Sequence, residues 1–291
     1  MASKKNRPAP ARSPAGAKSL RTDWDDVSGW YDQHVGDEGS EFHREIVLPG
    51  AVRLLEPQPG QAMIDIACGQ GVLCRKLHSL GVGVTGVDAS DQLIAAARER
   101  SDPAIAYRVG DARDLSFLPA DRFEAAVCLL AIQNIHPIQG VFDGVARLLK
   151  PWGRFVIVMM HAAFRGAKET AWGWDEANKI QYRRVDRYLT PRKAPIVTHP
   201  GKDPHQYTWT FHKPIEAYVK SLRKAGLLVD AIEEWASHKT STSGPRAAAE
   251  NIARKEIPMF MAVRAVKVAG RPDSSPRPWS VGVDARSISQ S

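Results

Sequence analysis

Asp65, Ala67, Gly69 and Gly71 stand at alternate positions in the run Met63-Ile64-Asp65-Ile66-Ala67-Cys68-Gly69-Gln70-Gly71. Small residues between an apolar strand and the helically spaced Val72 to Leu77 leave backbone amides open to a ligand at a sheet's carboxyl edge. The spacing departs from the dinucleotide pattern G-x-G-x-x-G, whose third glycine lets helix and strand pack closely. A second acid, Asp88, ends the run Gly83-Val84-Thr85-Gly86-Val87, seventeen residues after Gly71. A carboxylate near that offset can take both hydroxyls of a ribose, because it accepts and does not donate. A third acid, Asp111, follows the run Ile105 to Val109 and Gly110. The plain alternative for each acid is a helix cap or a solvated turn residue.

These acids need a sheet to bring them together. Residues 62–160 hold five apolar runs separated by helical segments. The later two are Phe123 to Ala131 and Gly153 to Met160, the latter introduced by Leu149-Lys150-Pro151-Trp152-Gly153. Such alternation predicts an α/β protein with a parallel sheet covered by helices on both faces. Ser90 and Asp91 cap a helix over 92–100 with Leu93, Ile94 and Ala97 inward. A further helix runs from Pro214 to Ala225 and stops at Gly226, and strands follow at Leu227 to Trp235 and Ile257 to Val268.

The pattern D-x-A-x-G-x-G resembles motif I of the S-adenosylmethionine-dependent methyltransferases with a Rossmann-like fold, usually written [DE]-x-G-x-G-x-G. Ala67 departs from it, mildly if that residue keeps the negative φ of a strand. The entry "LKPWG" and the phrase "FHKPIEAYVKSLRKAGL" are also similar to the small-molecule branch of that family, sometimes called type 11. The resemblance covers about residues 24 to 268. It implies a three-layer Rossmann-like fold with seven strands, mostly parallel and the last antiparallel. It implies S-adenosyl-L-methionine as cofactor, held by Asp65, Ala67, Gly69, Gly71, Asp88, Ala89, Asp111, Ala112 and Leu130. Asp111 would meet the adenine amino group, and the Ala112 amide a ring nitrogen.

Two segments could cover such a site. An N-terminal helical cover includes Trp24, Trp30 and Tyr31, which either close on the sulfonium by cation–π attraction or pack on the sheet edge. An insertion of about residues 161–213 follows the fifth strand, and its residues 186–211 read as a hairpin with a turn at Thr198 to Gly201. Its aromatic and polar residues suit a pocket for a small organic acceptor, with Trp174, Tyr182 and Arg183 as substrate contacts. The alternative for Arg183 and Arg184 is a solvated pair.

Methyl transfer from a sulfonium relies on alignment, and a base is needed only when the acceptor loses a proton. His161, after the fifth run, His136, after the fourth, and His43 are the catalytic residues expected, with His212 a further histidine in reach. The plain alternative for each, and the one favoured for any single histidine, is a loop or core residue. The residues after the fourth run, Leu130-Ala131-Ile132-Gln133-Asn134, lack the [ND]-P-P-[YF] motif of amino-group methylation.

Composition narrows the partners. The chain of 291 residues carries a net charge of +8, but residues 1–21 hold six of those charges and no acid. Residues 22–269 are therefore nearly neutral, and nucleic acid is not an expected partner. Residues 1–21 and 269–291, rich in Pro, Ser, Gly and Ala, read as disordered tails flanking one domain over 22–268. No apolar run approaches the length of about 20 residues that spans a bilayer, and no apolar signal segment opens the chain. Cys68, Cys74 and Cys128 lack metal-ligand spacing and fit a reducing cytoplasm, so no metal is expected. A small-molecule methyltransferase is the leading function. The alternatives are an RNA or protein methyltransferase using the basic tail, and a nicotinamide-dependent oxidoreductase.

Overall fold

Alternation of apolar residues along the central strands sets the layers. In the strand Phe123–Leu129, Ala125 and Val127 face one layer of helices while Ala126 and Cys128 face the other. Both faces are buried, so the strand reads as a continuous apolar run. The structure, a computed structural model, describes Gly29 and residues 35–166, 169–199 and 203–268. The expected tails and the lid residues Trp24, Trp30 and Tyr31 lie outside the described residues.

Seven strands form the main sheet. They are β1 (Ala62–Ile66), β2 (Gly83–Asp88), β3 (Ala106–Val109), β4 (Phe123–Leu129), β5 (Leu149–Met160), β10 (Leu227–Trp235) and β11 (Phe260–Lys267). Between β5 and β10, two hairpins pair β6 (Thr170–Asp175) with β7 (Ile180–Val185) and β8 (Arg192–His199) with β9 (Asp203–His212). The sheet order is β10-β11-β5-β4-β1-β2-β3. β11 alone runs antiparallel to its neighbours, pairing that way with β5 and β10. This is the Rossmann-like arrangement expected, with the last strand reversed.

Helices α1 (Leu48–Leu55), α2 (Val72–His78) and α3 (Asp91–Glu99) pack on one face through residues such as Leu55, Leu77 and Ile94. Helices α4 (Gln139–Leu148) and α5 (Ile215–Lys224) pack on the other through Phe142 and Leu222. A sixth helix, α6 (Ala247–Glu256), which the sequence reading did not anticipate, precedes β11. A π-helical turn, His43–Val47, leads into α1. The order reverses at β1, which has β2 on one side and β4 on the other, so a crevice opens at the carboxyl ends of these strands.

Three expectations change. Ala67 has φ 58, in the left-handed region, not the negative φ of a strand residue. The chain must turn sharply there to leave β1 for α2, and neighbouring Gly69 and Gly71 are also at positive φ. The insertion holds two hairpins rather than one; in the first, Gly173 pairs with Tyr182 and leaves the space that its ring occupies. Tyr188-Leu189-Thr190 forms a turn and not a strand. Its Tyr188 hydroxyl accepts the Ile215 amide at 2.8 Å and its carbonyl accepts His212 Nε2 at 2.7 Å.

Candidate active site

The glycine turn and the loop after β2 are tied by one carboxylate. Asp88 accepts the Gly69 amide at 2.9 Å and the Ser90 amide at 2.9 Å, one on each oxygen. Ser90 then caps α3 by accepting the Leu93 amide. Gly71 carries no side chain for a steric reason: a Cβ there would fall on the Tyr107 hydroxyl.

A cavity of about 330 Å3 opens above these groups. Ala67, Gly69, Asp88, Ala89, Asp111, Ala112 and Leu130, all expected at a cofactor site, line it. Its far wall comes from His136 and from Trp209 and Phe211 of β9. Asp111 is held by its neighbour: Arg113 donates to it from the backbone amide at 2.8 Å and from Nε and Nη2. The guanidinium keeps the Asp111 carboxyl below the usual carboxylate range.

Asp65 lies beneath the turn, 2% exposed, and lines a small adjoining cavity with His43, Ala67 and Gln70. Its Oδ2 accepts the Cys74 thiol at 3.5 Å, and its Oδ1 has no partner. Burial, with the Asp88 charge adding to it, pushes the Asp65 carboxyl up to about 7. An orphaned, buried carboxylate oxygen is suited to an ammonium group.

The histidines fall in different places. His161 is 2% exposed; its Nδ1 accepts the amides of Ala163 and Phe164, so Nε2 donates to Glu234 at 2.7 Å. Both ring nitrogens are thus engaged by the protein. His43 Nδ1 pairs with the Ser40 hydroxyl at 2.8 Å, on the Asp65 side of the turn. His136 lines the large cavity and stacks on Phe211, ring centroids 5.1 Å apart. Its ring nitrogens make no hydrogen bond among the described residues.

Arg183, Tyr182 and Trp174 do not line the described cavities. Arg183 donates to the Phe164 carbonyl at 2.8 Å and to Thr170 Oγ1 at 2.6 Å, and lies over Trp172. Trp174 Nε1 donates to Glu176, with Arg246 over its ring. Tyr182 is 46% exposed. All three build the first hairpin, whereas the residues that reach the cavities are Trp209 and Phe211 of the second hairpin and Arg165 and Lys213 at the edges of the insertion. The sequence marked the insertion's aromatic residues as pocket walls, but nothing in the spacing separated one hairpin from the other.

Among the described residues no cluster of three His, Cys, Asp or Glu could hold a metal ion, and no helix is long and apolar enough to cross a membrane.

A family model described as a methyltransferase domain matches residues 64–157, the span from β1 to β5. The chain is 32% identical over 185 residues to a 2-phytyl-1,4-naphtoquinone methyltransferase of Synechococcus elongatus, covering 58% of this chain and 75% of that one. It is 29% identical over 187 residues to a demethylmenaquinone methyltransferase of Tropheryma whipplei, and the match spans 64% of each chain. A solved S-adenosylmethionine-dependent methyltransferase from Mesorhizobium loti superposes with TM-score 0.61 at 26% identity, over 75% of this chain and 96% of its own. The chain belongs to the class I, Rossmann-like methyltransferases whose cofactor is S-adenosylmethionine.

Proposed function

We propose that the chain transfers a methyl group from S-adenosylmethionine to a small-molecule acceptor seated between the glycine turn and the second hairpin. The observation that carries this reading is the 330 Å3 cavity itself, which runs from Asp88 and Asp111 to the aromatic wall of Trp209 and Phe211. Quinone methyltransferases among the relatives support a small aromatic acceptor, and a ubiquinone biosynthesis O-methyltransferase of Xylella fastidiosa, 29% identical over 134 residues, supports a hydroxyl on it.

The cofactor, when bound, supplies a methyl group already activated on sulfur. The protein's residues hold and align. Asp88 offers a carboxylate with about four lone-pair sites to a ribose diol. Asp65 pairs an ammonium, and the Asp111–Ala112 loop meets the adenine edge. The Gly69 and Gly71 turn allows close approach of backbone to ligand. Trp209 and Phe211 exclude water from one side of the cleft and orient a planar acceptor. His136 is placed to accept the proton of an acceptor hydroxyl at an imidazole nitrogen that the protein leaves unengaged. His161 we assign instead to anchoring the end of β5 to Glu234.

This reading includes a cytoplasmic setting, supported by three unpaired cysteines. The test is formation of S-adenosylhomocysteine with a panel of hydroquinones and phenols. Product with at least one acceptor is expected. His136→Gln should lower kcat by about 100-fold or more with cofactor affinity unchanged; an unchanged kcat would remove His136 from the mechanism.

A further inference from the structure

A second cavity, of about 190 Å3, lies between the end of β5 and the second hairpin. Asn134 and Phe211 line both cavities, so the two adjoin. Its walls carry two cations and no carboxylate: Lys213, 9% exposed, and Arg165.

Neither cation is matched. The Lys213 ammonium reaches the Phe211 carbonyl at 3.5 Å and otherwise faces the rings of Phe211 and Tyr218 at 5.5 and 5.9 Å. Arg165 Nε is buried without a partner; its Nη2 reaches the Ile257 carbonyl at 3.5 Å, and its guanidinium lies over Trp172. Arg183 beside it adds positive charge and no counter-ion. His161 and His212 also line the cavity, but each has an N–H committed elsewhere, to Glu234 and to the Tyr188 carbonyl. A buried ammonium is costly unless something pairs it, and the oxyanion of a ligand would supply that pairing here. Burial accordingly pulls the Lys213 ammonium down to about 8.

The opposite polarity appears at the junction of the cavities. The side-chain oxygens of Gln133 and Asn134 are buried acceptors with no donor. An O–H or N–H from a ligand would satisfy them. Met159 and Met160 supply apolar wall between these groups.

We propose that this cavity is the acceptor's anchoring site, and that the acceptor is a small hydroxy acid. Its oxyanion, a carboxylate or phosphate, sits between Lys213 and Arg165. Its hydroxyl lies by Gln133 and Asn134, at the mouth of the larger cavity. The inference rests on the methyltransferase reading for which cavity holds the cofactor, but anion binding can be measured without catalysis.

The experiment is calorimetric titration of the full chain with 4-hydroxybenzoate, 4-hydroxyphenyl phosphate and neutral 4-hydroxybenzamide, each with and without S-adenosylhomocysteine. The anions should bind at least tenfold more tightly than the amide, and the tighter of the two identifies the oxyanion. Lys213→Met and Arg165→Gln should each weaken the anion by tenfold or more and leave S-adenosylhomocysteine affinity unchanged. Lys213→Met should also raise Tm by about 2–4 °C, since it removes an uncompensated buried charge. Equal binding of anion and amide, no binding of either anion at millimolar concentration, or full anion affinity in both variants would overturn the proposal. Failure of S-adenosylhomocysteine to bind, with the anion preference intact, would instead overturn the methyltransferase reading alone.

Discussion

Asp65 has one oxygen on the Cys74 thiol and the other on nothing, at 2% exposure. Its carboxyl is raised from 3.8 to about 7, so between those values the folded chain holds a proton that the unfolded chain has lost. The stability this contributes is present below the unfolded value and is lost as pH rises through about 7. Asp65→Asn should therefore flatten the decline of stability across that window, as read by chemical denaturation at several pH values. A cation beside Asp65 favours the ionised form, so affinity for S-adenosylhomocysteine should rise with pH up to about 7 and then level. Asp65→Asn should abolish that rise, and a pH-dependence retained in the variant would detach Asp65 from the ligand. Asp88 does two jobs, holding the Gly69 and Ser90 amides while facing the cavity. Asp88→Ala should weaken cofactor binding by about 10- to 100-fold, the loss expected for charge-assisted hydrogen bonds. Unchanged affinity in calorimetry would show that β2 does not contribute its acid to the site.

The element that turns β1 into α2 holds three residues at positive φ: Ala67, Gly69 and Gly71. A non-glycine residue there costs about 1–2 kcal/mol, so Ala67→Gly should leave stability unchanged or raise it by up to about 1 kcal/mol, despite the added freedom of the unfolded chain. Gly71→Ala should do the opposite. It combines φ 82 with a collision on Tyr107 and should cost about 2–4 kcal/mol in denaturant unfolding. Much at this scale was legible. Continuous apolar runs marked β1 to β5, and Ser90 marked the start of α3, because a strand buried on both faces and a capped helix leave local signals. The sign of φ at Ala67 was not legible, since it follows from where α2 must pack and not from the residue itself. The first hairpin was missed because its strands are half-exposed and carry arginines and tryptophans rather than an alternating apolar face. Lys213 and Arg165 were passed over for a related reason. Only the tertiary fold shows that a lysine in "HKP" is buried while Arg183, a residue of apparently similar promise, is spent on Phe164 and Thr170.

Across the whole molecule, the sheet order places the glycine turn, Asp88 and Asp111 on one edge, and the insertion after β5 folds its second hairpin against that edge. The edge carries the acids and small residues expected of a cofactor cradle, and the insertion adds aromatic and cationic residues beside it. The net charge of +8 belongs mostly to residues 1–21. A chain lacking residues 1–21 should keep its S-adenosylhomocysteine affinity and its methyl-transfer rate. A fall in rate accompanied by lost RNA affinity would favour a nucleic-acid acceptor. The central claim is that the cleft at the carboxyl edge takes S-adenosylmethionine, and side-by-side calorimetric titration with S-adenosylmethionine and NAD tests it most directly. Saturable one-site binding of S-adenosylmethionine, weakened in Asp88→Ala, with no heat from NAD, is the predicted result. Tight NAD binding with none for S-adenosylmethionine would contradict it.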